Sequence, residues 1–259
     1  MRTEALREAC DRNLTEAFAA LIPHTGAPFV EKRSFGPVVA VATGASDPFF
    51  NPVMITDPAA SADELAAAVG WVRSLGVSPS VELREDLRER LEPDVLGLEF
   101  EAVPWATPGM ALHPIPLIPS LPPELRIEQV DFDRFEDWFT GISYGPGLKS
   151  VFVQTLLDDP SFRLLVGYVG DDPVTGAAAI MSDEVVGVYA VGTAEQARRR
   201  GFGQAATWAA IRAGSDAGCS VAVLQSSEMG LSLYRQMGFI EVCGYVEYLP
   251  ASAEPAADG

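Results

Sequence analysis

The chain has 259 residues, which is enough for one large domain or two modest ones. Hydrophobic residues make up 48% of it and charged residues 21%, as in ordinary globular folds, so a disordered, collagen-like or coiled-coil protein is excluded. The 36 acidic residues outnumber the 18 basic ones and give a net charge of −18. Because so acidic a surface repels phosphate backbones and anionic lipid, we expect neither nucleic acid nor a membrane as a partner.

Membrane spans, secretory signals and metal-binding cysteine motifs each leave a recognisable sequence pattern. No apolar run approaches the ~20 residues that span a bilayer. The first 20 residues have a charged helical pattern without the features of a secretory signal. Three cysteines without CxxC spacing, together with only two histidines, indicate reduced thiols rather than disulfides or a zinc site. We therefore expect a cytoplasmic protein without a metal.

Prolines divide the chain. Seven of the 20 prolines lie between positions 104 and 123, a density that no helix or central strand should tolerate. We predict a linker at 113–123 that separates a first half, 1–112, from a second half, 124–250. The last residues, 251–259, are small and polar and are predicted to be a disordered tail.

The first half has the pattern of an α/β layer without obvious catalytic residues. Gly76 stands where it would end a helix. The predicted strands are 35–43, 52–56, 77–83, 98–103 and 110–112, and the predicted helices are 63–75 and 85–91.

The second half gives a more regular alternation of strands and helices, which predicts an α/β fold with a mixed sheet. The predicted elements are strand 126–130, helix 132–140, loop 141–147, helix 148–157, strands 163–169, 176–181 and 185–191, helix 203–213, strand 221–225, helix 229–237 and strands within 240–249.

The segment 191–205 carries most of the functional information. It leads from an apolar strand into a helix, with Gly201 and Gly203 at the helix entrance and three adjacent arginines at 198–200. Glycine lets the backbone approach a ligand closely, and a helix N-terminus attracts negative charge. Since cations at a helix N-terminus are unfavourable without an anion, this pattern predicts a phosphate-binding loop rather than a solvated basic turn.

Two common phosphate ligands do not fit this loop. A Walker loop requires Gly-Lys-Ser/Thr, whereas this chain has Gly203-Gln204-Ala205. A dinucleotide-binding fold would place its first glycine directly after the strand, whereas Gly201 lies ten residues beyond Val191.

Two motifs resemble those of the GCN5-related N-acetyltransferase (GNAT) family. Arg198-x-x-Gly201-x-Gly203 is similar to the acetyl-CoA signature Gln/Arg-x-x-Gly-x-Gly/Ala, and residues 233–239 are similar to Leu-Tyr-x-x-x-Gly-Phe. The elements between the motifs also match, and the resemblance covers about 125–249. It implies the GNAT fold in the second half and acetyl-CoA as the co-substrate.

The resemblance also implies a cofactor site. Backbone groups of the strand 189–191 would pair with the pantetheine arm, and amides of the loop 199–204 would hold the pyrophosphate. Ser227 replaces an asparagine that many members carry, so it either contacts the cofactor or caps the following helix. The implied cofactor-binding residues are Tyr189, Ala190, Val191, Arg198, Arg199, Arg200, Gly201, Phe202, Gly203, Gln204 and Ser227.

The chemistry that the resemblance implies is direct attack of an amine on the thioester. Tyr234 matches the family's proton donor, the alternative being an aromatic residue of the core. The carboxylate that several relatives use as a base would stand at Val185 and is absent. Glu184 is one candidate for that role, and a water chain or Glu228 is another.

The acceptor is expected to be a small-molecule or peptide amine, and the protein a monomer or homodimer. By the resemblance, the acceptor enters near Tyr144 and Tyr245. The alternative function is a non-catalytic acetyl-CoA-binding module with a sensing or regulatory role.

The first half is interpreted as a degenerate GNAT-like copy without a cofactor site. Leu96-Gly97-Leu98 is similar to Met237-Gly238-Phe239, but residues 57–64 carry three carboxylates where a phosphate loop should be.

Overall fold

Short runs of aliphatic residues build one continuous mixed sheet. The computed structural model describes residues 1–24, 31–144 and 146–251, and within them eleven strands follow the order β1-β2-β3-β4-β11-β5-β10-β9-β8-β7-β6. The strands are β1 (Glu31–Phe35), β2 (Val38–Ala42), β3 (Pro52–Ile55), β4 (Ser80–Arg84), β5 (Phe100–Leu112), β6 (Arg126–Gln129), β7 (Phe162–Val169), β8 (Asp172–Ser182), β9 (Val185–Thr193), β10 (Val221–Gln225) and β11 (Ile240–Pro250).

Helices cover both faces of this sheet. The α-helices are α1 (Thr3–Leu21), α2 (Ala62–Ser74), α3 (Arg88–Gly97), α4 (Phe135–Ile142), α5 (Phe202–Asp216) and α6 (Leu231–Gln236). The α2, α3, α5 and α6 helices pack on one face, and α1 and α4 pack on the other. Short 3₁₀ helices lie at Ile22–His24, Pro48–Phe50, Glu85–Leu87, Pro146–Ser150, Gln154–Asp158 and Glu195–Ala197.

The two halves repeat one order of elements and exchange their last strands. The series β2-β3-α2-β4-α3-β5 recurs as β8-β9-α5-β10-α6-β11, and the pairs β3–β4 and β9–β10 are both parallel. However, β11 pairs with β4 and β5, and β5 pairs with β10. The predicted division at 112 and 124 stays a prediction, but each half completes the sheet of the other.

The expectation that prolines would keep the chain after residue 103 out of a central strand is wrong. β5 runs through Pro104 and Pro108 and unites the two strands predicted there. Near Pro104 the register with β11 shifts, so a bulge absorbs the residue that cannot donate. Pro108 contributes its carbonyl, which accepts a hydrogen bond from the Ser226 N–H at 2.9 Å. Residues 113–123 form neither helix nor strand, and their role as a linker stays a prediction.

Two predicted elements differ in kind from those observed. The predicted helix 148–157 is replaced by two 3₁₀ helices. The predicted strand 35–43 contains a hairpin turn at Gly36, with φ +57°, followed by the strand β2. In the first of these segments Phe152 stacks on Trp138, with ring centroids 5.1 Å apart, so packing against α4 prevails over the helical pattern. Of the predicted tail, Ala251 forms a turn and 252–259 lie outside the described residues.

The segment that follows α3 corresponds to the segment that follows α6, but the matching residues differ from those predicted. Gly238, which follows α6, has φ +96°, and the residue of positive φ after α3 is Glu99, with φ +66°. Gly97 does not occupy this position. The structural counterpart of Met237-Gly238-Phe239 is therefore Leu98-Glu99-Phe100.

Candidate functional site

A cleft opens where β9 and β10 separate. Their parallel pairing extends only from Val185 and Val221 to Gly187 and Val223, and beyond this point the two strands have no register with each other. Backbone groups on the facing edges then lack their usual ladder partner. The part of β9 beyond the separation, residues 189–193, is partly exposed.

A β-bulge shapes the wall of the cleft. Tyr189 pairs with Ala178 and Gly192 pairs with Gly176, so two residues of β9 oppose one residue of β8. One of the two, Ala190, has φ +48°, a left-handed conformation that is uncommon outside glycine. The bulge leaves an extra peptide unit out of the ladder with β8, so its polar groups can serve a ligand.

Close packing at Gly192 places the loop after α4 beside the cleft. A Cβ atom at Gly192 would lie 1.9 Å from the carbonyl oxygen of Ile142, so only glycine allows α4 to end directly on β9. Ser143, with φ +53°, then reverses the chain. This turn brings Tyr144, which is half exposed, next to the cleft.

The N-terminus of α5 faces the same region and lacks a cap of its own. Its N-cap, Gly201, has φ +79° and provides no side-chain hydrogen bond, and the first turn contains no acidic residue. Arg199 is also left-handed, with φ +63°. Such alternation aims successive backbone N–H groups into one concavity, which suits an anion.

The three arginines before α5 are exposed but differ in their contacts. Arg198 donates from Nε to the Thr193 carbonyl at 3.2 Å, so it links the loop to the end of β9. Arg200 lies 3.6 Å from the Glu124 carboxylate and over the ring of Phe202. Arg199 has no ion-pair partner among the residues that the structure describes, so its charge is available to a ligand.

The first residues of α5 contribute backbone rather than side chains. Phe202 is 1% exposed and packs into a small cluster with residues such as Leu125 and Val174, so only its N–H can serve a ligand. A Cβ atom at Gly203 would meet only Thr193 Oγ1, at 3.2 Å. Gln204 is partly exposed.

Tyr234 lies on α6, with its ring packed at Gly230 and Phe239. It is 8% exposed, and burial raises its pKa to about 12. The neighbouring Tyr144 phenol raises it further, whereas a hydrogen bond with Thr207 lowers it. The structure therefore brings together two tyrosines that the sequence assigned to separate roles.

Ser227 caps the turn that leads into α6. Its Oγ accepts a hydrogen bond from the Gly230 N–H at 3.3 Å, which is the capping alternative considered for this residue. The preceding Ser226 is fully buried and donates to the Ser227 carbonyl. Glu228 is exposed in the same turn, between the end of β10 and α6.

Two predicted site residues lie elsewhere. Glu184 is in the turn before β9, and at about 3.3 Å per residue it stands roughly 20 Å along the strand from Ala190. It is therefore at the wrong end of β9 to act as the base. Tyr245 is fully buried beneath α1 and donates to Asp11 at 2.6 Å, so it does not line an entrance for the acceptor.

The N-terminal helix supports the cleft from the opposite face, a long-range contact for which the sequence pattern contains no signal. Asn13 of α1 is fully buried and accepts a hydrogen bond from the Tyr189 hydroxyl at 2.8 Å. Its amide donates to Ser182 Oγ at 2.8 Å. Asn13 therefore ties Tyr189, at the edge of the cleft, to the far end of the same hairpin.

The described ranges contain no group of three His, Cys, Asp or Glu side chains arranged to hold a metal ion. None of their helices combines the length and apolarity needed to cross a bilayer.

Comparison with known proteins agrees with this geometry. Residues 126–239 match the acetyltransferase (GNAT) family model, whereas no curated protein matches the chain. The fold is similar to that of a GCN5-related N-acetyltransferase from Kribbella flavida, with TM-score 0.71 and 19% identity over 92% of this chain and 96% of that one. It is also similar to a tandem GNAT protein from the clavulanic acid biosynthesis pathway, with TM-score 0.55 and 9% identity over 84% and 79% of the two chains.

At these identities the structural likeness shows the fold alone, and it extends over both halves of the chain. The matched family segment begins at β6 and ends at Phe239, so it contains the cleft, the loop before α5 and Tyr234. Residues 126–239 of this chain therefore form a domain of the GNAT acetyltransferase family.

Proposed function

We propose that the chain is an acetyl-CoA-dependent N-acetyltransferase that transfers the acetyl group directly to a primary amine. The observation that carries this proposal is the separation of β9 from β10, with the bulge at Ala190, beside the uncapped N-terminus of α5. A thioester arm requires an extended groove with free backbone partners, and a pyrophosphate requires converging N–H donors.

The cofactor would follow the path that these elements define. Backbone groups of 189–191 would pair with the pantetheine arm, and the N–H groups of 199–204 would hold the pyrophosphate. The exposed arginines at 198–200 supply positive charge to a chain whose net charge is −18. Removing phosphate charge from water costs free energy, which these arginines would offset.

Only one cofactor site per chain is expected, because α2 caps its own N-terminus. Ser61 Oγ accepts a hydrogen bond from the Glu64 N–H, and the Glu64 carboxylate accepts one from the Ser61 N–H at 2.9 Å. Arg90 donates to the carbonyls of Pro58 and Ala60 in the preceding loop. At the N-terminus of α2 the N–H groups of Ser61 and Glu64 already have partners, and the Glu64 carboxylate would repel an anion.

Tyr234 would supply a proton to the departing CoA thiolate. With a pKa of about 12 it stays protonated at neutral pH, as a proton donor must. A free thiol has a pKa of ~8.5, so complete transfer from the phenol is uphill. Tyr234 therefore stabilises the developing thiolate first through its hydrogen bond, and Tyr144 would line the acceptor side.

Two candidates fit the role of the base that accepts the amine proton. Val185 is buried beneath α1 and Glu184 is remote, so Glu228 in the turn after β10 and a chain of water molecules remain. Val185 lies with Glu184 at the far end of β9, so its lack of a carboxylate does not separate this function from the second candidate, a non-catalytic module that binds acetyl-CoA. A monomer or homodimer and a cytoplasmic location stay predictions.

A panel of acceptors tests the proposal. Amino acids, polyamines, aminoglycosides and peptides with a free N-terminus are each incubated with the full chain and acetyl-CoA, and release of CoA is followed chromatographically. At least one amine should accelerate release and appear as an acetylated product. Binding of acetyl-CoA without acceleration by any class would support the non-catalytic module instead.

A further inference from the structure

Two of the three cysteines meet beneath the N-terminal helix. Cys10 on α1 is fully buried, and Cys243 on β11 is partly exposed. A Cβ atom at Gly109, on β5, would lie 2.5 Å from Cys243 Sγ and 3.1 Å from Cys10 Sγ. Both sulfurs therefore occupy the space that this glycine leaves free, within reach of each other.

The surroundings make the two thiols unequal. The neighbouring Cys10 thiol lowers the pKa of Cys243, and Tyr245 and Arg84 contribute in the same direction, whereas burial and Asp11 oppose them. The same contact with Cys243, followed by burial, raises the pKa of Cys10. The directions of these shifts place the thiolate of this pair on Cys243, which is also the more exposed of the two residues.

We propose that Cys243 and Cys10 are a peroxide-sensitive dithiol that closes to a disulfide between β11 and α1. The Cys243 thiolate attacks hydrogen peroxide, which gives a sulfenic acid and hydroxide. The Cys10 thiol then displaces the sulfenic oxygen as water and forms the S–S bond. Two thiols are oxidised, and one peroxide is reduced to two molecules of water.

The disulfide would form next to the cleft. The last residue of β10, Gln225, donates from Nε2 to Cys10 Sγ at 3.6 Å and pairs across the sheet with Gly109, which in turn pairs with Cys243. Conversion of the Cys10 thiol to a disulfide would therefore change the atom that accepts the Gln225 hydrogen bond. The inference does not depend on the acetyltransferase activity.

Peroxide titration of the full chain tests this site. The reduced protein is treated with one equivalent of hydrogen peroxide, alkylated and mapped by mass spectrometry without reduction. We expect loss of two thiols per chain, a Cys10–Cys243 linked peptide, and an alkylated Cys219. Cys219 is the internal control because it is buried and its pKa is raised by burial.

Variants separate the roles of the two sulfurs. Cys243→Ser should slow thiol loss at least tenfold, whereas Cys219→Ala should oxidise like the wild type. In Cys10→Ser the sulfenic acid should persist on Cys243 and react with dimedone, and Cys10→Ala serves if serine at this buried position prevents folding. Oxidation of Cys219 at the rate of Cys243, a disulfide between two chains, or an unchanged rate in Cys243→Ser would overturn the proposal.

Discussion

Replacing Tyr234 by phenylalanine separates a catalytic hydroxyl from one that only packs. The substitution keeps the buried ring and removes only the hydroxyl, which can form about one hydrogen bond, so the free energy of unfolding should fall by only about 0.5–1.5 kcal/mol. A general acid is worth roughly 10²–10⁴ in rate, or about 3–5.5 kcal/mol in the activation barrier. Because the second effect is several times the first, steady-state kinetics can distinguish the two roles.

A matched control lies on β11, where the strand packs against α2 and α3. Tyr248 is fully buried, its hydroxyl donates to Glu92 at 2.9 Å, and its pKa is also raised to about 12 by burial. Tyr248→Phe should lose similar stability and keep full activity. Tyr234→Phe should lower kcat at least 100-fold with little change in acetyl-CoA affinity. If both variants retained kcat within threefold of the wild type, Tyr234 would be a packing residue.

Three further predictions follow from individual contacts. Glu82 and Glu247 are cross-strand neighbours, and burial raises their pKa values to about 8 and about 7 from 4.5. A carboxyl whose pKa is raised in the folded state stabilises it most below pH 4.5 and costs stability as pH rises to 8. Glu82→Gln should therefore raise Tm at pH 9, by about 2–4 °C per kcal/mol, and not at pH 4; equal gains at both would refute this. Gly201→Ala places a side chain at φ +79° without a steric clash, so the strained backbone should lower the free energy of unfolding by about 1–2 kcal/mol. An unchanged Tm in thermal unfolding would show that the loop relaxes. Asp11→Ala leaves the buried Arg84 without its 2.8 Å partner and should cost about 3–5 kcal/mol in urea unfolding; a loss below 1 kcal/mol would show that Asp86 suffices.

Local chemistry explains why the loop before α5 could be recognised from sequence. The left-handed φ of Gly201 favours glycine, and the apolar spacing of the following helix is set by its own residues. The turn at Ser227 is equally local. Features of this kind depend on few neighbours in the chain, so sequence suffices to locate them.

Long-range pairing explains most of what sequence missed. Nothing near β5 reveals that its partners are β10 and β11, and the bulge that accommodates Pro104 exists only because of that pairing. Tyr245 is buried because α1, some 230 residues earlier, covers it. Glu184 lies outside the site because it precedes the nine-residue strand β9, whose other end lines the cleft.

Titration of acetyl-CoA into the full chain, followed by calorimetry, tests the central claim most directly. The wild type should bind one molecule per chain, and Gly203→Val should lose binding because its side chain fills the space before Thr193 while the fold is retained. Gly70→Val, in the exposed middle of α2 with no atom near its Cβ, is the matched control and should bind like the wild type. Two sites per chain, or unchanged affinity in Gly203→Val, would contradict the placement of the cofactor at α5.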